Sequence, residues 1–144
     1  MAVFARFDIL SSYWRGIASS QGQTVRMVQF LDTFRAPDTE ANSVAVHMWR
    51  HKLMHTSQPR YLTNEHTGKV YRWLLHWHEH LPREQHFRLI DTGGSKKLDL
   101  GLVYLIEDLG AATKDYLTQL ESSPDLQQNY ERVEAELNSY KVRI

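Results

Sequence analysis

Within "MWRHKLMHTSQPRY", residues 48–61, Arg50, His51 and His55 fall inside six positions, with His47 just upstream. Histidine titrates near neutrality and serves as acid, base or metal ligand. Arginine stays charged and offers a planar fork that matches phosphate oxygens. The cluster therefore points to catalysis, to metal binding or to a well-hydrated cationic surface. The chain holds eight histidines, crowded between residues 47 and 86. It has no cysteine, which excludes disulfides, thiolate zinc sites and cysteine nucleophiles.

The elements that must position these residues read mostly as helices. Over 3–19, Val3, Phe7, Leu10, Trp14 and Ile17 recur at three and four. "SSQGQT" interrupts the pattern. Thr24 then caps a second helix with Val25, Val28, Leu31 and Phe34 as its stripe, or the whole of 3–35 is one bent helix. Pro37 and Asp38 mark a turn and a new start. A helix over 39–55 carries the cluster, and Pro59 ends it. At about 100° per residue, Ala45, Trp49 and Leu53 share one side. His47, Arg50, His51 and His55 form an arc on the other, with Val44 and Met54 among them.

Beyond residue 60 the period changes to two. In "VYRWLLHWHEH", Tyr71, Trp73, Leu75 and Trp77 alternate with Arg72, Leu74, His76, His78 and His80, which predicts a strand with one aromatic face. "HTGK" is a turn joining it to a short strand near 60–62. "HFRLID" and "KKLDL", parted by "TGGS", predict a hairpin. Helices return over 101–122, with Val103, Ile106, Leu109, Ala112, Tyr116 and Leu120 as the stripe. A last helix covers 124–140, capped by Ser123 with Pro124 in its first turn. The expected architecture is mainly α: one domain over 1–144, a helical bundle with a small antiparallel sheet of about three strands inserted at about 60–100.

The 144 residues suffice for one core, and 42% are apolar. Seventeen basic residues balance 17 acidic ones, so any polyanion site must be a local patch. No apolar run approaches the roughly 20 residues of a membrane helix, and no signal peptide is visible. A cytoplasmic setting without membrane attachment is expected.

Arg50-His51-Lys52-Leu53-Met54-His55 resembles the R-x(4–6)-H motif of the HEPN superfamily, in which a polar residue follows the arginine, as His51 does. Looser matches at Arg60 to His66 and Arg72 to His78 fall in the expected turn and strand. The resemblance implies a compact helical bundle, commonly a homodimer. Many members are metal-independent endoribonucleases of toxins, phage defence and RNA processing, and others have become inactive binding modules. It implies Arg50 and His55 as the active pair, supported by His51, with no cofactor. His47, Lys52 and Arg60 lie where they would help hold RNA. A cognate inhibitor or antitoxin protein is a further implied partner. Such cleavage needs a base for the 2′-hydroxyl proton and a cation for charge growing on the phosphate. DNA lacks that hydroxyl and would resist it.

Two other readings stand beside this one. His51 and His55, at i and i+4 on a helix, have a spacing that can hold zinc, as have the alternating His76, His78 and His80. No HExxH signature accompanies them, and a metal is not expected. In the remaining reading the chain is a non-catalytic RNA- or protein-binding regulatory module that uses Arg50 and His55 structurally.

Overall fold

The computed structural model describes residues 2–53, 61–77 and 81–139, with residues 51–53 described in the backbone alone. Five α-helices and a four-stranded mixed sheet make up these residues.

Helix α1 (Ala2–Arg15) buries Val3, Phe4, Phe7 and Ser11, with Leu10 and Trp14 packed beside them. It stops at Gly16, whose φ of 68° is left-handed. A side chain there would also meet Asn129 Oδ1 at 2.7 Å. That close approach lets Asn129 Nδ2 donate to the terminal carbonyl of Trp14 at 2.9 Å. Ile17, expected on the stripe, lies beyond the helix and is exposed.

Helix α2 (Gln23–Phe34) is separate from α1, and Gly22 stands at its N-cap instead of Thr24. Its buried stripe is Met27, Phe30, Leu31 and Phe34, with Arg26 at its margin. Val25 is 61% exposed. The expected stripe advanced by threes, and at about 100° per residue that rotation carries Val25 half a turn away from Phe34.

Helix α3 (Thr39–His47) starts where expected: Asp38 caps it, its carboxylate accepting the Ala41 N–H at 3.1 Å. The chain then widens into a π-helical segment, Met48–Leu53. Val44, Ala45, Val46, Met48 and Trp49 are all buried. Val44 to Val46 are three successive buried residues and span about 200° of the helix, so α3 is covered over more than half its circumference and Val44 leaves the cationic arc in which the sequence placed it. Met54 and His55, the expected end of this helix, lie outside the described residues.

Strands β1 (Leu62–Thr63), β2 (Val70–His76), β3 (Arg88–Asp91) and β4 (Ser95–Gly101) form a sheet ordered β1-β2-β4-β3. The β1–β2 and β3–β4 pairs are antiparallel, as expected. The central β2–β4 pair is parallel, so the all-antiparallel sheet of three strands is corrected to a mixed sheet of four. The reason is burial. Leu98 and Leu100 of β4 are fully buried, so the hairpin docks through β4 and leaves the more exposed β3 at the edge. Tyr71 and Trp73 face the core, but β2 ends at His76 and Trp77 is 68% exposed.

Phe4 ties the layers together, with ring centroids 6.2 Å from Trp49, 6.3 Å from Trp73 and 6.4 Å from Phe87. A single core cluster therefore contains residues of both helices and sheet. Helix α4 (Leu102–Ser122) follows β4 without a loop and buries Leu105, Asp108, Ala112 and Tyr116. Gly110 leaves it unbroken. Helix α5 (Pro124–Asn138) begins at the expected Ser123 cap, whose hydroxyl accepts the Leu126 N–H.

Candidate active site

Arg50 lies on the π-helical segment, partly buried. Its Nη1 donates to Thr24 Oγ1 of α2 at 2.7 Å. Next to this contact is a polar network between α1 and α2. Arg26, 4% exposed, donates to Ser11 Oγ at 3.4 Å, Ser12 Oγ at 3.1 Å and the Gln21 carbonyl at 3.1 Å. Its Nη2 stands 3.8 Å from Asp8 Oδ1. Gln23 Nε2 donates to the other Asp8 oxygen. Asp8 Oδ1 is buried and makes no hydrogen bond among the described residues.

The electrostatics follow from this burial. Asp8 is pushed above the usual carboxylate range by burial, against the Gln23 hydrogen bond and the attraction of Arg26 and Arg50. Arg26 is pulled below the usual guanidinium range by burial; Asp8 opposes the shift and Arg50 adds to it. Two guanidinium groups thus act on one carboxyl whose charged form burial disfavours. Arginine forks match phosphate oxygens, and of these two only Arg50 is partly exposed, since Arg26 is buried on its protein partners.

His47 takes a different place. It lines a groove of about 560 Å³ between α3 and the β1–β2 turn, with Glu40, Ser43, Glu65, His66 and Tyr71. Glu40 is held below the usual carboxylate range chiefly by the Lys96 ammonium, which donates to both its oxygens at 2.9 and 2.8 Å. Arg50 turns towards α2, while His47 faces this groove. The side chains of His51 and Lys52, and all of His55 and Arg60, lie outside the described residues. Asp8 and Arg26 escaped the sequence reading, and Thr24 entered it only as a helix cap. Their signal was present as charges and hydroxyls interrupting apolar stripes, such as Asp8 after Phe7 and Arg26 before Met27.

Two other histidines are locked to carboxylates. His76 Nε2 lies 2.9 Å from Asp99 Oδ1, and Lys97 Nζ lies 2.9 Å from Oδ2 of the same buried Asp99. His78 and His80 are outside the described residues. His86 accepts the Gly101 N–H on Nδ1 at 3.0 Å. That fixes its proton on Nε2, which donates to Asp108 Oδ2 at 3.1 Å. Arg83 Nη2 donates to Asp108 Oδ1 at 2.6 Å. Among the described residues no group of three histidines or carboxylates is placed to hold a metal. No described helix is long and apolar enough to cross a membrane.

No family model, curated protein or solved structure matches this chain.

Proposed function

We propose that the chain is a HEPN-like, metal-independent endoribonuclease in which Arg50 and His55 form the catalytic pair. The observation that carries the reading is the fixed guanidinium of Arg50, held on Thr24 at 2.7 Å near the buried Arg26 and near Asp8, whose charged form burial disfavours. It sits on a π-helical segment, a backbone form frequent at functional sites. In the proposed reaction His55 takes the 2′-hydroxyl proton. The 2′-oxygen bonds to phosphorus and the 5′-oxygen leaves with a proton. The products are a 2′,3′-cyclic phosphate and a 5′-hydroxyl end. Arg50 offsets the charge gathering on the phosphate. His51 supports the pair, and Lys52 and Arg60 hold the strand; His47, facing the groove beside the β1–β2 turn, stands apart from Arg50. A cytoplasmic toxin or defence role with a cognate inhibitor protein belongs to the same proposal.

The test is cleavage of labelled RNA in EDTA, with circular dichroism as the folding control. Wild type should yield cyclic phosphate ends. His55→Ala and Arg50→Ala should each lower the rate by about 10²–10⁴-fold. Full activity in folded variants would remove the assignment.

One observation favours a second reading. Arg50 is already engaged by Thr24 and can be a structural tie between α2 and α3. The chain would then be an inactive RNA- or protein-binding module of the same fold, and wild type would bind RNA without cutting it.

A further inference from the structure

Helix α4 has two stripes. The buried one, Leu105, Asp108, Ala112 and Tyr116, joins the core. On another face Val103, Ile106, Gly110, Thr113 and Leu117 succeed one another by steps of three and four, ending at Leu120, which is half-buried and also packs against the core. That is the spacing of a helix–helix seam. Val103, Ile106 and Leu117 are 47%, 56% and 49% exposed. Gly110 is exposed, and a side chain built on it would meet nothing within 4 Å. A groove of about 650 Å³ runs along Ile106, Gly110, Thr113 and Leu117. Contiguous apolar surface of this kind marks an interaction site more often than it marks bare surface.

We propose that this stripe is a homodimer interface in which two copies of α4 cross antiparallel, with the two-fold axis between Gly110 and Thr113. The stripe reads alike from either end. The axis sets Val103 against Leu120 of the second copy, Ile106 against Leu117, and Gly110 against Thr113. Large residues meet large ones at the flanks, and the two small residues let the backbones approach at the centre. The charges along one edge agree. Glu107 and Lys114 are exposed and each directly follows a seam position, Ile106 or Thr113. In the antiparallel crossing each Glu107 faces Lys114 of the other copy, which gives two ion pairs. A parallel crossing would set the same charges against Leu109 and Tyr116 positions. The exposed contact of Glu107 with Arg83, at 3.3 Å, is of the weak surface kind and does not hold the carboxylate away.

Helix α3 and its π-helical continuation take no part. The interface is therefore distinct from one that brings two Arg50 motifs together, and it stands whether or not the chain cuts RNA. Sedimentation of the full chain at micromolar concentration should give twice the 16.9 kDa mass. Ile106→Glu and Leu117→Glu, both at exposed positions, should keep the helical circular dichroism and weaken association by at least about 100-fold. Glu107→Lys or Lys114→Glu alone should weaken it by about tenfold, and the two together should restore it. Because the chain has no cysteine, Gly110→Cys and Thr113→Cys chains mixed under mild oxidation should cross-link to each other. A monomeric wild type would overturn the proposal. So would a dimer that persists undiminished in folded Ile106→Glu, since its interface would lie elsewhere, for example at α3.

Discussion

Replacing Asp108 by asparagine tests the reasoning about the buried carboxylates most directly. Asp108 lies on α4 and accepts two donors, one on each oxygen: Arg83 at 2.6 Å and His86 at 3.1 Å. Asparagine keeps the shape but offers one acceptor oxygen, so one donor meets an amide N–H₂. His86 cannot adapt by moving its proton, because Nδ1 already faces the Gly101 N–H. An orphaned buried N–H costs about 1–3 kcal/mol. Arg83 is half exposed and regains water, so its loss adds at most about 1 kcal/mol. We expect Asp108→Asn to cost about 2–3 kcal/mol at pH 7. The cost should depend on pH. Burial raises the Asp108 pKa, but the hydrogen bonds from His86 and Arg83 outweigh it and leave the folded value below 3.8. A depressed acid stabilises the fold above its unfolded pKa of about 3.9, and that stability fades as pH falls through the folded value. Urea unfolding followed by tryptophan fluorescence should thus show a gap between wild type and variant that is present at about pH 5 and above and closes below about pH 4. A gap under about 0.5 kcal/mol at pH 7, or one that fails to close in acid below about pH 4, would refute the account.

Two further substitutions probe the site and the frame. Thr24→Val removes the acceptor that orients Arg50. It should lower kcat for RNA cleavage by about tenfold with KM little changed and be rescued by Thr24→Ser, whereas equal rates in both variants would show that Arg50 needs no anchor. Gly16→Ala meets a positive φ and the Asn129 side chain at once. It should cost about 1–3 kcal/mol in thermal or urea unfolding, and an unchanged midpoint would mean that α5 yields at no cost.

Which parts were legible depends on how local their causes are. The Asp38 and Ser123 caps and the β3–β4 hairpin are set by neighbouring residues, and all are found where the sequence placed them. Stripe phase was less legible. Val25 and Val103 are as apolar as the residues that were buried, and only the packed partners decide which side turns inward. The parallel pairing of β2 with β4 leaves no local signature, because it arises from competition for the one fully covered place in the sheet. Arg50 was singled out by type and spacing alone. Its neighbours Asp8, Thr24 and Arg26 come from other helices, and no spacing rule relates them.

The sheet order also governs how the chain can fold. Strand β4 meets β3 across a short turn, with Asp91 opposite Lys96. It meets β2 only after a much longer excursion, with Val70 opposite Ser95. The loop spans differ about fivefold, so closing the second costs about 1.4 kcal/mol more in chain entropy. A hairpin of that size forms in about 1–10 μs. The β3–β4 ribbon therefore has time to assemble and come apart repeatedly before β2 arrives. Until then the β2-facing edge of β4 is an unpaired strand, carrying Leu98 and Leu100 before their cover is complete. That transient edge is where a second unfolded chain can pair in place of β2. The hazard of this topology during refolding is thus intermolecular strand exchange at β4, and it grows with protein concentration.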